Sequence, residues 1–353
     1  MHAPVFKASD SKSHFEVLDG LRGVAAMIVL IGHATSVVLG PSLIERKHLA
    51  VYFFFMLSGF VVAYAYEARL KAGMSVREFY LRRIIRLYPL IIAGVVMAAV
   101  GLALSDAQFR GDPMAIPATL LAGLGLPSPH TMFSFGRFPI NPPQWSLFYE
   151  LVAYVVFGLF IAKANNAGLV VLLLLSTAAF GATLYLYFGF VPFFWVIFHA
   201  LAPFCVGVLL WRLKNAGDLP KIRSNFLALS LCLVAVCCIP MRYGWAPDFL
   251  VVMGVFPLLI VCGTGQATGR TKHLSNVLGE MSYPLYILHW TVLTVAKAFL
   301  LTVAGPMVTI GLAVVASIAT SWALLTSYDR PVRRRLTKRL LPAAGLLSRR
   351  VAP

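Results

Sequence analysis

The sequence predicts an all-α, polytopic transmembrane helical bundle of about ten spans with both termini cytoplasmic. Three observations carry this. Of 353 residues, 59% are hydrophobic and only 12% are charged, whereas a soluble domain carries about a quarter charged residues. Apolar stretches of bilayer-crossing length recur along the whole chain; a spanning helix needs about 20 mostly apolar residues. Lys and Arg crowd into alternate connections between those stretches.

In order, the spans fall near residues 17–40, 49–66, 84–104, 143–162, 168–188, 192–213, 224–240, 248–264, 276–300 and 305–327. The stretch 114–126 is apolar but too short to cross and is bracketed by Pro117 and Pro127. It reads as an interfacial or re-entrant piece of a long loop. With the termini inside, 23 of the 30 Lys and Arg lie on the cytoplasmic side, as the positive-inside rule requires. The polar segment Met1–Phe15 is too long for the start of an ordinary signal peptide, so the first span is expected in the mature protein. The chain reads as a single domain, 1–353, with residues 1–16 a cytoplasmic N-terminus and 328–353 a basic cytoplasmic tail on the inner leaflet.

A formal charge of +17 raises the possibility of nucleic acid. The basic residues are spread over short loops and are not interleaved with base-stacking aromatics, so topology accounts for the charge and no nucleic-acid partner is expected. Cys205, Cys232, Cys237, Cys238 and Cys262 all sit in apolar stretches with no C-x-x-C pair. They read as small core residues, with no metal site and no disulfide framework.

Ionisable groups inside a bilayer cost several kcal/mol, so each needs a partner or a watery cavity. The first span carries Asp19, Arg22 and His33. Arg22 and His33 are eleven residues apart, about three turns, and so share one face roughly 16 Å apart along the axis. Asp19 can pair with Arg22 at i,i+3. This stripe reads as a cavity lining, against the plainer reading of a structural ion pair plus a satisfied imidazole. The third span opens with Arg82, Arg83 and Arg86. Guanidinium groups bind phosphates bidentately, although snorkelling residues that only orient the span would look the same.

The fourth span opens with Trp145, Ser146 and Glu150. Trp145 is placed as an interface anchor, and Ser146 and Glu150 share a face. Glu150 lies roughly 10 Å below the outer end of its helix, about as deep as His33. A His33–Glu150 contact is therefore feasible, with the carboxylate orienting an imidazole base. In the ninth span Ser282, Tyr286 and His289 form one stripe at i, i+4 and i+7; polar residues in such a stripe commonly only bond across helices. Ser58 and Gly59 of the second span favour close helix packing, and a nucleophilic role for Ser58 is the weaker reading.

Taken together, the segments LDGLRGVAAMIVLIGH (18–33), FFMLSGFV (54–61), RRIIRLYP (82–89), QWSLFYE (144–150), SYPLYILHW (282–290) and DRP (329–331) resemble acyltransferase family 3. They occur in that family's order over essentially the whole chain. The resemblance implies a membrane O-acyltransferase that moves an acyl group, often acetyl, from cytoplasmic acyl-CoA to a hydroxyl of an extracytoplasmic glycan or glycolipid. It implies essential roles for Arg22 and His33 and donor binding by the Arg83-x-x-Arg86 segment. It also implies a bacterial inner membrane location, with acyl-CoA a substrate and no permanently bound cofactor. The competing reading is a transporter or flippase of a lipid-linked glycan, which usually shows internal repeats; none is visible here. A sensor or scaffold would tolerate neutral substitution of Arg22 and His33.

Overall fold

A computed structural model describes residues 15–129, 136–187, 191–220, 222, 224–265 and 269–341, and every regular element among them is helical. The elements are α1 (Glu16–Leu39), α2 (Lys47–Lys71), α3 (Val76–Ser105), α4 (Ala107–Gly111), α5 (Ala115–Gly123), α6 (Gln144–Ile161), α7 (Asn166–Leu186), α8 (Phe193–Ala216), α9 (Phe226–Cys237), α10 (Ala246–Gly263), α11 (Thr271–Ala304) and α12 (Pro306–Leu340). Among the described residues, nine of these are long and apolar enough to cross a membrane. The tenth expected span is α9, an apolar helix of 12 residues that rises only about 18 Å. It ends at Cys237, short of the expected 240, because Pro240 lies just beyond and cannot continue a helix.

Two other boundaries differ from expectation. Helix α3 begins eight residues before the expected 84, where the Ser75 side chain accepts a hydrogen bond from the Glu78 N–H (3.1 Å). Ser-x-x-Glu is a capping signature, and it outweighs the local polarity of residues 76–83. Helix α12 does not stop near 327 but runs on to Leu340 through a π turn at Leu325–Asp329. The first part of the expected tail is thus a helical extension, and residues 342–353 lie outside the described residues.

Close helix crossings are set by small residues. A Cβ on Gly23 would strike the Leu278 backbone, and one on Gly279 would come within 2.8 Å of Asp19 Cβ. Glycines from both partners therefore bring α1 and α11 into contact. A second reciprocal pair joins α2 to α8: a Cβ on Gly59 would collide with the Phe204 carbonyl, and one on Gly207 with the Met56 carbonyl. Without a hydrophobic drive between helices in lipid, such close backbone approach is a main source of association. At Gly305, φ is +74°, a left-handed value suited to glycine, and with Pro306 it breaks α11 from α12.

The long connection before α6 holds α4 and α5. Helix α5 lies within the stretch expected to be interfacial, and its Ile116 and Leu120 are exposed. Its C-terminal end is tied to the bundle by the Tyr88 hydroxyl, which donates to the Leu124 carbonyl (2.7 Å), and by the Gln144 amide, which donates to the Ala122 carbonyl (2.5 Å). Of the cysteines, Cys205 and Cys237 are buried, Cys232 and Cys262 are half-buried, and Cys238 is exposed rather than in the core.

Candidate active site

Two cavities lie along the stripes identified in the sequence. The larger, about 770 Å³, is lined by Asp19 and Arg22 of α1, Ser58 of α2, Arg83 and Arg86 of α3, Ser146, Glu150 and Tyr154 of α6, Ser282, Tyr283 and Tyr286 of α11, and Asp329, Arg330 and Arg333 of α12. The smaller, about 110 Å³, is lined by His33, Lys47, His48, Trp145, Tyr286 and Trp290, among others. Val51 and Tyr286 line both and form the wall between them.

In the larger cavity Arg22 is pinned on three sides. Its Nε donates to Ser282 Oγ (2.8 Å), Nη2 donates to the Gly279 carbonyl (2.9 Å), and Asp19 Oδ1 pairs with it at 3.1 Å. The i,i+3 pairing read from the sequence is therefore present. Fixing a guanidinium this way removes rotamer freedom that a ligand would otherwise have to restrict.

Arg83 is buried, with its guanidinium 4.5 Å from the Tyr66 ring centroid and 5.5 Å from that of Tyr154. These cation–π contacts hold it against the aromatic wall, while its Nε has no hydrogen-bond partner. Arg86, one turn on, lines the same cavity, and among the described residues no carboxylate or hydrogen-bond partner engages it. Arg333 comes from the helical extension of α12 and is held by Asp329 Oδ2 at 2.9 Å. The other carboxylate oxygen of Asp329 is buried without a partner. Sequence reasoning placed Arg333 in a surface tail; its i,i+4 spacing from the Asp of the DRP segment was the signal available.

Arg82 belongs elsewhere. Its guanidinium is clamped to Glu78 Oε1 through Nε (3.1 Å) and Nη2 (2.7 Å), and it does not line the cavity. One residue is a rotation of about 100°, enough to turn Arg82 away from the face that Arg83 and Arg86 share with the cavity. Its expected place beside them is corrected accordingly.

The feasible His33–Glu150 contact is also not what the structure shows. Glu150 Oε1 accepts from Ser58 Oγ (2.7 Å) and from the Tyr154 hydroxyl (2.5 Å), inside the larger cavity. His33 instead pairs with His289, Nδ1 to Nε2 at 2.9 Å, with the two rings nearly parallel at 7°. Counting residues from the helix ends places the two alike, but they line different cavities. Ser58, expected to serve packing, faces Glu150, while its neighbour Gly59 makes the close crossing.

The ninth-span stripe meets its partners residue by residue. Ser282 receives Arg22, Tyr286 exchanges a hydrogen bond with Ser146 Oγ (2.7 Å), and His289 meets His33. Trp290 packs edge-on against His33 with centroids 5.3 Å apart. Trp145, expected as an interface anchor, stands in the His33 pocket and makes edge contacts with Phe55 and Tyr149.

Lys47 and His48, the first residues of α2, are the pocket members that sequence reasoning missed, because they read as an ordinary connection. His48 Nε2 is 2.8 Å from Asp248 Oδ2, and the buried Arg46 engages the other oxygen of Asp248. Arg46 also donates to the carbonyls of Ile239 (3.0 Å), Pro240 (3.1 Å) and Gly244 (2.8 Å). It thereby sews the α9–α10 connection to the mouth of the His33 pocket.

The acyltransferase domain model of acyltransferase family 3 matches residues 15–326. The chain is 27% identical to the acyltransferase MdmB of Streptomyces mycarofaciens over 316 residues, covering 78% of each protein. It is 37% identical to "Protein 2 in picA locus" of Rhizobium radiobacter over 175 residues, 46% of this chain and 90% of that protein. It is 25% identical over 322 residues to YrhL of Bacillus subtilis (strain 168), a proposed peptidoglycan O-acetyltransferase, covering 79% of this chain and 48% of that one. No solved structure matches. The helical bundle together with the family match makes this a polytopic membrane acyltransferase. The chain belongs to acyltransferase family 3.

Proposed function

We propose that the protein is an O-acyltransferase that takes acyl-CoA into the arginine-lined cavity from the cytoplasm and acylates a hydroxyl of a glycan or glycolipid arriving at the His33 pocket from the other face of a bacterial inner membrane. One observation carries this reading: Arg22, Arg83, Arg86 and Arg333, from three helices, line one cavity of about 770 Å³ whose far wall is the near wall of the His33 pocket. Forked guanidinium groups match the phosphates of a CoA-type donor. The excess of Lys and Arg at that end supports placing it in the cytoplasm. The thioester end of the donor is directed to the boundary at Val51 and Tyr286, where Tyr286 is tied to Ser146.

In this reading His33 takes the proton of the acceptor hydroxyl as its oxygen attacks the thioester carbonyl. The C–S bond then breaks and the thiolate leaves as the thiol with that proton, producing an ester and free CoA. Glu150 stays in the donor cavity, where it orders Ser58 and Tyr154 and offsets part of the positive charge. The proposed acetyl donor and glycan acceptor draw support from YrhL, a proposed peptidoglycan O-acetyltransferase. Mass spectrometry of surface glycans from cells with and without the protein tests the acceptor class. A missing acyl mass in the deletion supports it, and identical glycan profiles with wild-type acyl content oppose it.

A further inference from the structure

His33 does not stand alone in its pocket, and its partner dictates which of its nitrogens can act. His289 is fully buried, one turn beyond Leu285 on α11. Its Nδ1 lies 3.0 Å from the Leu285 carbonyl oxygen. A carbonyl only accepts, so His289 Nδ1 carries the hydrogen. Among the described residues no carboxylate pairs with His289 or His33, so nothing offsets the cost of a second proton on this buried ring. A neutral imidazole protonated on Nδ1 presents a bare Nε2. That Nε2 is the atom 2.9 Å from His33 Nδ1, and it can only accept. His33 Nδ1 must therefore donate, which leaves His33 Nε2 without a hydrogen and as the ring nitrogen remaining for whatever occupies the pocket.

We propose that His289 is a positioning residue that locks His33 in its Nδ1–H form, with His33 Nε2 as the base that takes the acceptor proton. The inference rests on the O-acyltransferase reading of the same site. The two rings are nearly parallel and Trp290 closes edge-on against His33, so orientation is fixed together with the tautomer. When Nε2 takes the hydroxyl proton, His33 becomes a cation whose Nδ1–H bond to His289 turns into a charge-assisted one, and such bonds are roughly twice as strong as neutral ones. The proton then leaves from Nε2 to the departing thiolate, so His289 loses and gains nothing over the cycle. Like the carboxylate partner of other imidazole bases, His289 fixes the tautomer and orientation of His33, but as a neutral acceptor it supplies no counter-charge.

The test uses the protein in lipid nanodiscs, with 15N-labelled histidine, acetyl-CoA as the donor and a surface-glycan fraction as the acceptor. The 15N spectrum of wild type is expected to show His33 protonated at Nδ1, and H289F is expected to lose that single form. A general base contributes about 100- to 10,000-fold, so H289F is expected to lower kcat by at least about tenfold with the KM for acetyl-CoA unchanged. H289Q, whose amide oxygen can still accept from His33, is expected to recover most of that loss. Wild-type His33 protonated at Nε2 overturns the proposal, and this spectrum needs no variant to fold. Full kcat in H289F, in an enzyme that H33A inactivates, overturns the role of His289 alone. Full transfer by H33A overturns His33 as the base, and no acyl transfer by folded wild type overturns the O-acyltransferase reading beneath it.

Discussion

Replacing Arg86 with alanine isolates donor binding from folding more cleanly than any other change in the cavity. Arg86 faces the same space as Arg22, Arg83 and Arg333, and among the described residues it has no ion-pair partner. Its removal breaks no ion pair and relieves repulsion from Arg22, Arg83 and Arg333 while losing attraction to Asp329, so only a small change in the thermal unfolding temperature is expected. What is lost is one charge-assisted contact to a donor phosphate, about 1.5–3 kcal/mol. At 1.4 kcal/mol per decade this is a rise in Kd of roughly 10- to 150-fold. Titration calorimetry of CoA and of acetyl-CoA against nanodisc-embedded wild type and R86A measures it, and both ligands are expected to weaken equally because they share their phosphates. A Kd for R86A equal to that of wild type, in folded protein, would refute the phosphate-clamp assignment.

Three further variants probe separate parts of the account. R82A is expected to leave the CoA Kd unchanged, because Arg82 is committed to Glu78 outside the cavity; the same calorimetry checks it. R46A leaves Asp248 buried beside only His48, and breaking a buried pair costs about 3–5 kcal/mol. A marked drop in thermal stability with unchanged CoA affinity is the expected outcome, read by unfolding in nanodiscs. G59A drives a methyl group into the Phe204 carbonyl, and overpacking costs about 1–3 kcal/mol; a lower unfolding temperature and a reduced yield of folded protein are expected.

Much of this architecture was legible from hydropathy alone, since long apolar runs can do little in lipid except form helices. Helical phase also located residues that line the two cavities. Arg22 and His33 do share a stripe, and Ser282, Tyr286 and His289 do face a common set of partners. What phase and depth could not supply was which helices touch. Residue counts from the helix ends place His33 and Glu150 alike, yet the glycine-lined crossing of α1 on α11 gives His33 to His289, while the α2–α6 contact gives Glu150 to Ser58. The Arg82 expectation failed over one residue of rotation, which a run of adjacent arginines does not resolve. The place of Arg333 was hidden because a polar, basic segment looks like a tail until Asp329 and the π turn carry the helix onward.

The central claim is that one chain carries an acyl group from a donor at its arginine cavity to an acceptor at His33. It is tested most directly by incubating purified wild-type and H33A protein in proteoliposomes with radiolabelled acetyl-CoA and a surface-glycan fraction, then measuring ester-linked label on the glycan. Wild type is expected to label the glycan, and H33A to bind acetyl-CoA normally but transfer essentially none. Labelling by folded H33A at the wild-type rate would contradict the account.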